Sequence, residues 1–179
     1  MEQRGKLVIV LMIATAMAMA GYAWWHQRQS GRMSAEFWGT PSAIAVRYAP
    51  IVEFLPLKPK SSGDDDSPGS MQLICGREYL VSEAVNITRT RGLVHARHAL
   101  VDDLSYDWKA PKQENGDWEF LLRFRDKDRS VTAAFDMERG LVCALGQSQV
   151  QQFIPKIATA LRQKRDEWRK RAESRESRD

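Results

Sequence analysis

The chain is poor in the residues that most often announce chemistry. Of 179 residues only two are cysteine, Cys75 and Cys143, and three are histidine, His26, His95 and His98. Two cysteines exclude a disulfide-dense miniprotein and a zinc ribbon. Without CxxC or CxxCH there is no basis for thioredoxin-like redox chemistry or covalent haem attachment. Serine nucleophile signatures (GxSxG, SxxK), the HExxH zinc pattern and the phosphate-cradling Walker A and GxGxxG loops do not occur either. No internal repeat is present, and no cofactor is implied. The length itself leaves room for one ordinary domain with attachments, not for two full-sized cores.

Net charge is absent everywhere except at one end. The formal net charge is +4, and residues 155 to 179 hold nine basic and five acidic side chains, so the excess sits wholly in the tail. There the acids are interspersed, with Asp166 placed four residues before Lys170 and Glu167 four before Arg171, the ladder of a solvated helix. Nucleic-acid binding wants a cleaner basic face with aromatic platforms, so it is not expected.

What is present is a long apolar run. Leu7 to Trp25 is nineteen residues without a charge; as a helix it covers about 28 Å, close to a hydrocarbon core of about 30 Å. Tyr22, Trp24 and Trp25 close it with rings that favour the headgroup zone, and Arg28 and Arg32 follow. Residues 1–26 therefore read as a membrane anchor whose partner is the lipid bilayer. A cleaved signal peptide is the alternative, since Arg4 and Lys6 precede the run and Ala18-Met19-Ala20 fits signal peptidase. The run is longer than the usual signal core of roughly 7–15 residues, which favours the anchor. Flanking charges nearly tie; the short positive N-terminal flank points to an N-in signal anchor, with the rest of the chain on the extracytoplasmic, periplasmic side of a bacterial inner membrane.

Residues 27–36 read as a polar juxtamembrane stalk and 37–154 as a small α+β domain interrupted by a disordered loop, 58–70, rich in Ser, Asp, Pro and Gly. Asp64, Asp65 and Asp66 within it lack the spacing of a calcium loop. Ile51 to Leu57 points to an edge strand because Pro56 interrupts it. Cys75 to Glu78 reads as a hairpin turn, and Gly92 to Asp103 as a helix capped by Thr88 or Thr90. The alternation of Trp118, Phe120, Leu122 and Phe124 is that of a half-buried strand, followed by strands at Val131 to Phe135 and Leu141 to Leu145 in an antiparallel meander. Tyr106 to Trp108 is a further candidate strand. Residues 155–179 read as a charged C-terminal helix and tail, with Ile154, Ile157, Ala158, Leu161 and Trp168 recurring on one side while the positions after Ala160 are overwhelmingly charged and fraying.

Three sets of residues stand as site candidates. His95, His98 and Asp102 fall at i, i+3 and i+7 on the expected helix, a stripe that would present two imidazoles and a carboxylate to a divalent metal. Cys75 and Cys143, sixty-eight residues apart, are a candidate disulfide if the domain is exported. Arg123 and Arg125 on the polar face of the strand are candidate partner-binding residues. Asn86-Ile87-Thr88 is a formal glycosylation sequon, of consequence only in a eukaryotic secretory pathway. No set combines nucleophile, base and oxyanion donor. The expectation is a single-pass membrane-anchored protein with an extracytoplasmic interaction or accessory domain, more a binder of a protein partner than an enzyme. A metal-dependent activity at His95/His98/Asp102, or a cytoplasm-facing domain whose basic tail touches lipid or nucleic acid, are the alternatives.

Overall fold

A computed structural model describes residues 2–29, 31–59, 70–111, 113, 116–127, 129–146 and 149–176. Helix α1 runs over Glu2–Gln29. Within it Val8–Trp25 is long and apolar enough to cross a bilayer, and none of that stretch is buried against the rest of the chain.

The packed body begins earlier than the sequence indicates. Residues 27–36 read as a stalk, yet α2 (Arg32–Trp38) buries Ser34, Phe37 and Trp38. Ser34 escapes a hydropathy reading because its burial is polar: its hydroxyl donates to the Val101 carbonyl at 2.8 Å. Helix α3 (Thr40–Tyr48) follows, with Pro41 in its first turn, where a missing N–H costs nothing, and Ala45 and Val46 turned inward.

Strand β1 (Ile51–Pro59) is internal, not at an edge. It pairs with β5 (Phe120–Arg125) along Ile51 to Pro56, and on its other flank with β4 (Val85–Asn86) at Glu53 and Phe54 and with β3 (Arg77–Val81) from Leu57 to Pro59. The Leu57 N–H points at β5, to the Glu119 carbonyl, so the Pro56 nitrogen points to the opposite flank. That is the gap between β4 and β3, where only the Pro56 carbonyl is used, by the Ser82 N–H at 3.0 Å. The proline rule thus fails as an edge indicator here because the missing donor falls between two partners.

β2 (Ser70–Ile74) and β3 form a hairpin closed by two residues, Cys75 and Gly76, with φ of +44° and +86°. Both central residues are left-handed, the requirement of the tight turns whose twist matches that of paired strands. Arg77 and Glu78, expected in the turn, are in β3. Lys58 and Pro59 belong to β1 and Ser70 to β2; positions 60–69, with Asp64 to Asp66, lie outside the described residues.

Helix α4 spans only Leu93–Leu100 and is entered through Gly92 at φ +82°, with no side-chain cap. The threonines are used elsewhere: Thr88 Oγ1 accepts from the Val52 N–H at 2.9 Å, and Thr90 Oγ1 from Arg171 at 3.3 Å. Leu93, Ala96 and Leu100 are buried, but Leu104, placed by its spacing on the same face, is exposed in a short 3-10 turn over Asp103–Ser105.

β5, β6 (Ser130–Asp136) and β7 (Leu141–Ala144) form the expected meander, and β8 (Gln149–Gln152) adds a strand that its three glutamines conceal. Tyr106 makes only an isolated bridge to Phe153. The whole is α+β, one antiparallel curled sheet in the order β2-β3-β1-β5-β6-β7-β8, with β4 on β1. One face carries the main core, in which Phe120 stacks on Phe135 at 5.0 Å. Against it lies α5 (Pro155–Glu176), whose Trp168 reaches Phe54 and Phe120 at 6.0 and 6.3 Å between centroids. The charged half of α5 is therefore docked, with Trp168 and Ala172 both buried. Because the sheet curls, its other face closes over a second cluster of Leu55, Ile74, Tyr79, Trp118, Leu121 and Cys143, so β5 is covered on both sides where a half-buried strand is expected.

Candidate functional site

The curl brings the hairpin, the segment before β5 and α5 to one place. Between them opens a cleft of about 500 Å³ with Leu57, Tyr79 and Trp118 in its wall and Arg77, Asp117 and Arg169 at its rim. The wall is built on Trp118. Its backbone N–H donates to the Tyr79 hydroxyl at 3.2 Å, and that hydroxyl donates to the Gly116 carbonyl at 3.4 Å. Gly116 fits closely there, since a Cβ would stand 3.0 Å from the Trp118 ring. The Trp118 indole N–H is buried without a partner.

The rim is a chain of alternating charges. Asp117 bonds Arg77 at 2.8 Å and also Arg139. Glu119 is the hub: one carboxylate oxygen accepts from the Met137 and Glu138 N–H groups at 2.8 and 3.2 Å, and the other holds Arg165, with Arg169 at 3.8 Å. Burial works to lower the Arg165 pKa, but hydrogen bonds to Asp166 and Glu119 outweigh it and raise the value above the ordinary one. The rim's ions are thus paired to one another above an aromatic wall.

The sequence-derived candidates are placed differently. Helix α4 ends before Asp102, whose carboxylate accepts from the Leu104 N–H at 3.1 Å. His98 and Asp102 border one surface depression and His95 another, beside α5. The i, i+3, i+7 stripe is thus cut at Leu100, and among the described residues no group of three His, Cys, Asp or Glu is placed to hold a metal ion. Arg123 and Arg125 both turn to Glu53, at 3.6 and 3.1 Å, one carboxylate between two guanidinium groups. Cys75 and Cys143 are joined in a disulfide that fastens the hairpin turn to β7.

Several of the tail's basic groups are spent on the domain itself. Arg162 donates to the Met137 carbonyl at 2.6 Å, Arg165 to Glu119 and Arg171 to Thr90, while Lys164 holds Glu167 at 2.8 Å on its own helix. Neither a protein-family model, nor a curated protein, nor a solved structure matches this chain.

Function must then be argued from the geometry alone. Tyr79, Trp118 and Arg169 have no spacing that links them, because the cleft is assembled from separated segments. The visible hint is local: Gly116-Asp117-Trp118 leads into the strand alternation with a glycine two residues before a large ring.

Proposed function

We propose that this chain is a single-pass membrane-anchored protein that displays its α+β domain outside the cytoplasm as an accessory module for a protein partner. The observation that carries the reading is Val8–Trp25, a stretch of bilayer length with no burial against its own domain. The Cys75–Cys143 bond supports the extracytoplasmic side, because disulfides persist in oxidising compartments and are rare in the cytosol. The cleft walled by Tyr79 and Trp118 is the surface offered to the partner, since it combines aromatic area with the charged rim of Arg77 and Arg169.

A reporter enzyme active only outside the cytoplasm, fused after Asp179, tests the orientation; an expressed but silent fusion contradicts it. The mass of the mature chain separates anchor from signal, because retention of residues 1–20 is expected and their loss converts the protein to a secreted one. Partner capture by site-directed photo-crosslinking from position 78, at the cleft, tests this surface, with added Arg77→Glu and Arg169→Glu substitutions expected to lose the captured species.

A further inference from the structure

The domain leaves several large apolar side chains in the open, and four of them surround the point where α1 enters it. Met33, Ile44, Tyr48 and Leu104 are 46, 57, 68 and 77% exposed. Ile44 and Tyr48 line one shallow depression together with Gly31, Arg47 and Val101. Met33 and Leu104 flank Asp103, whose carboxylate accepts from the Gly31 and Met33 N–H groups at 2.8 and 3.2 Å. Gly31 follows Trp25, the end of the apolar stretch, by six residues, about 9 Å if fully helical. Gly31 and Met33 are therefore the part of the domain closest along the chain to the end of the span; Asp103 ties the Leu104 turn to them, and Gly31 shares its depression with Ile44 and Tyr48.

We propose that this face seats on the interfacial zone of the bilayer that α1 crosses, an inference that rests on reading α1 as an anchor. Met33, Ile44 and Leu104 enter the boundary between headgroups and acyl chains. Tyr48 lies at headgroup depth with the Arg47 guanidinium 5.4 Å over its ring, a cation and an amphipathic ring of the kind that settles at that level. Ile44 and Tyr48 share one depression with Gly31, and Asp103 holds Gly31 and Met33; apolar side chains gathered in this way mark an interaction surface where scattered single ones do not. Four side chains would recruit a free protein poorly, but the tether makes the encounter intramolecular, so the local concentration of lipid compensates. Arg32 and Arg47 are opposed by exposed Glu36 and Asp102, which leaves the patch without a strong net charge. Docking thus runs on apolar burial and has no need of anionic lipid.

The test is photo-crosslinking in the full chain, reconstituted into phosphatidylcholine nanodiscs. Benzoylphenylalanine replaces Ile44, Leu104, Trp24 or Leu73 singly, and lipid adducts are read by mass spectrometry. Leu73 is the control, because at 68% exposed it is as open as the patch residues but lies on β2. Formation of the Cys75–Cys143 bond confirms that each variant has folded. Expected are lipid adducts at 24, 44 and 104 and background at 73, unchanged when phosphatidylserine is added. Adducts at 24 but not at 44 or 104 overturn the docking and leave the anchor standing. No adduct at 24 overturns the anchor reading itself. Equal adducts at 73, protein instead of lipid adducts at 44 and 104, or lipid adducts there only in the presence of phosphatidylserine each overturn the proposal as stated.

Discussion

The Asp103 carboxylate accepts a hydrogen bond from the Ser34 N–H at 2.7 Å, joining residues sixty-nine apart in sequence. Its other oxygen takes the Gly31 and Met33 N–H groups, so one side chain satisfies three of the donors that a helix start leaves open. The acid also sits at the positive end of the α2 helix. A cap normally comes from the residue before the helix; here that residue is Gly31, which has no side chain to offer.

Replacing it should be felt at the junction between α1 and the domain. Asp103→Ala is expected to lose about 1–3 kcal/mol of stability, and Asp103→Asn, which keeps an acceptor but not the charge, roughly half of that. Urea unfolding of the chain in mild detergent measures both. Hydrogen exchange should quicken at Gly31, Met33 and Ser34 in the alanine variant; unchanged exchange there would count against the capping role.

The Cys75–Cys143 bond closes a sequence separation of 68 and holds the hairpin over the second cluster. Its loss should cost about 2–5 kcal/mol. Reduction of the native chain and the double Cys75→Ser, Cys143→Ser substitution are expected to lower Tm by similar amounts, with no further effect of reductant on the variant. The alkylation pattern provides a second check: neither thiol should react before reduction, and both should react after it.

Elements with a strong period were legible from sequence, and those held by long-range polar contacts were not. The alternation about Phe120, Leu122 and Phe124 marks β5 because each apolar side chain faces the helices. β8 was hidden because Gln149, Gln151 and Gln152 owe their place to pairing with β7 and not to burial. Gly92 rather than a threonine opens α4, since Thr88 and Thr90 are committed to Val52 and Arg171, partners that no local window contains. The cleft was illegible for the same reason. Tyr79, Trp118 and Arg169 meet only once the sheet has curled, while the stripe of His95, His98 and Asp102 depended on helix continuing past Leu100.

The C-terminal helix gives a sharp contrast between charge pattern and packing. Trp168 is 1% exposed amid residues that read as a solvated tail. Trp168→Ala should cost about 3–5 kcal/mol, the range for deleting a large buried ring. Trp168→Phe should cost far less, because the indole N–H it removes is buried with no partner. Thermal unfolding orders the three proteins. Equal losses for alanine and phenylalanine would mean that the indole N–H is satisfied in solution.

Tyr106 provides the alkaline limit. Its hydroxyl donates to the Leu100 carbonyl at 2.6 Å and accepts from the Trp38 indole N–H at 3.1 Å, and burial pushes its pKa well above the ordinary value. The unfolded phenol titrates near 10, so below that pH both states keep the proton and the Tyr106 contribution is complete. Above about pH 10 the unfolded chain loses the proton while the folded chain retains it, and stability falls by up to about 1.4 kcal/mol per pH unit from this group. Tyr106→Phe leaves the Leu100 carbonyl bonded to Trp38 at 2.6 Å, so near pH 7 it should cost only about 0.5–1.5 kcal/mol. Between pH 10 and 11 the variant should lose stability less steeply than the native chain, and the two curves should converge. Parallel curves from denaturant titrations across that interval would show that the buried phenol does not resist ionisation.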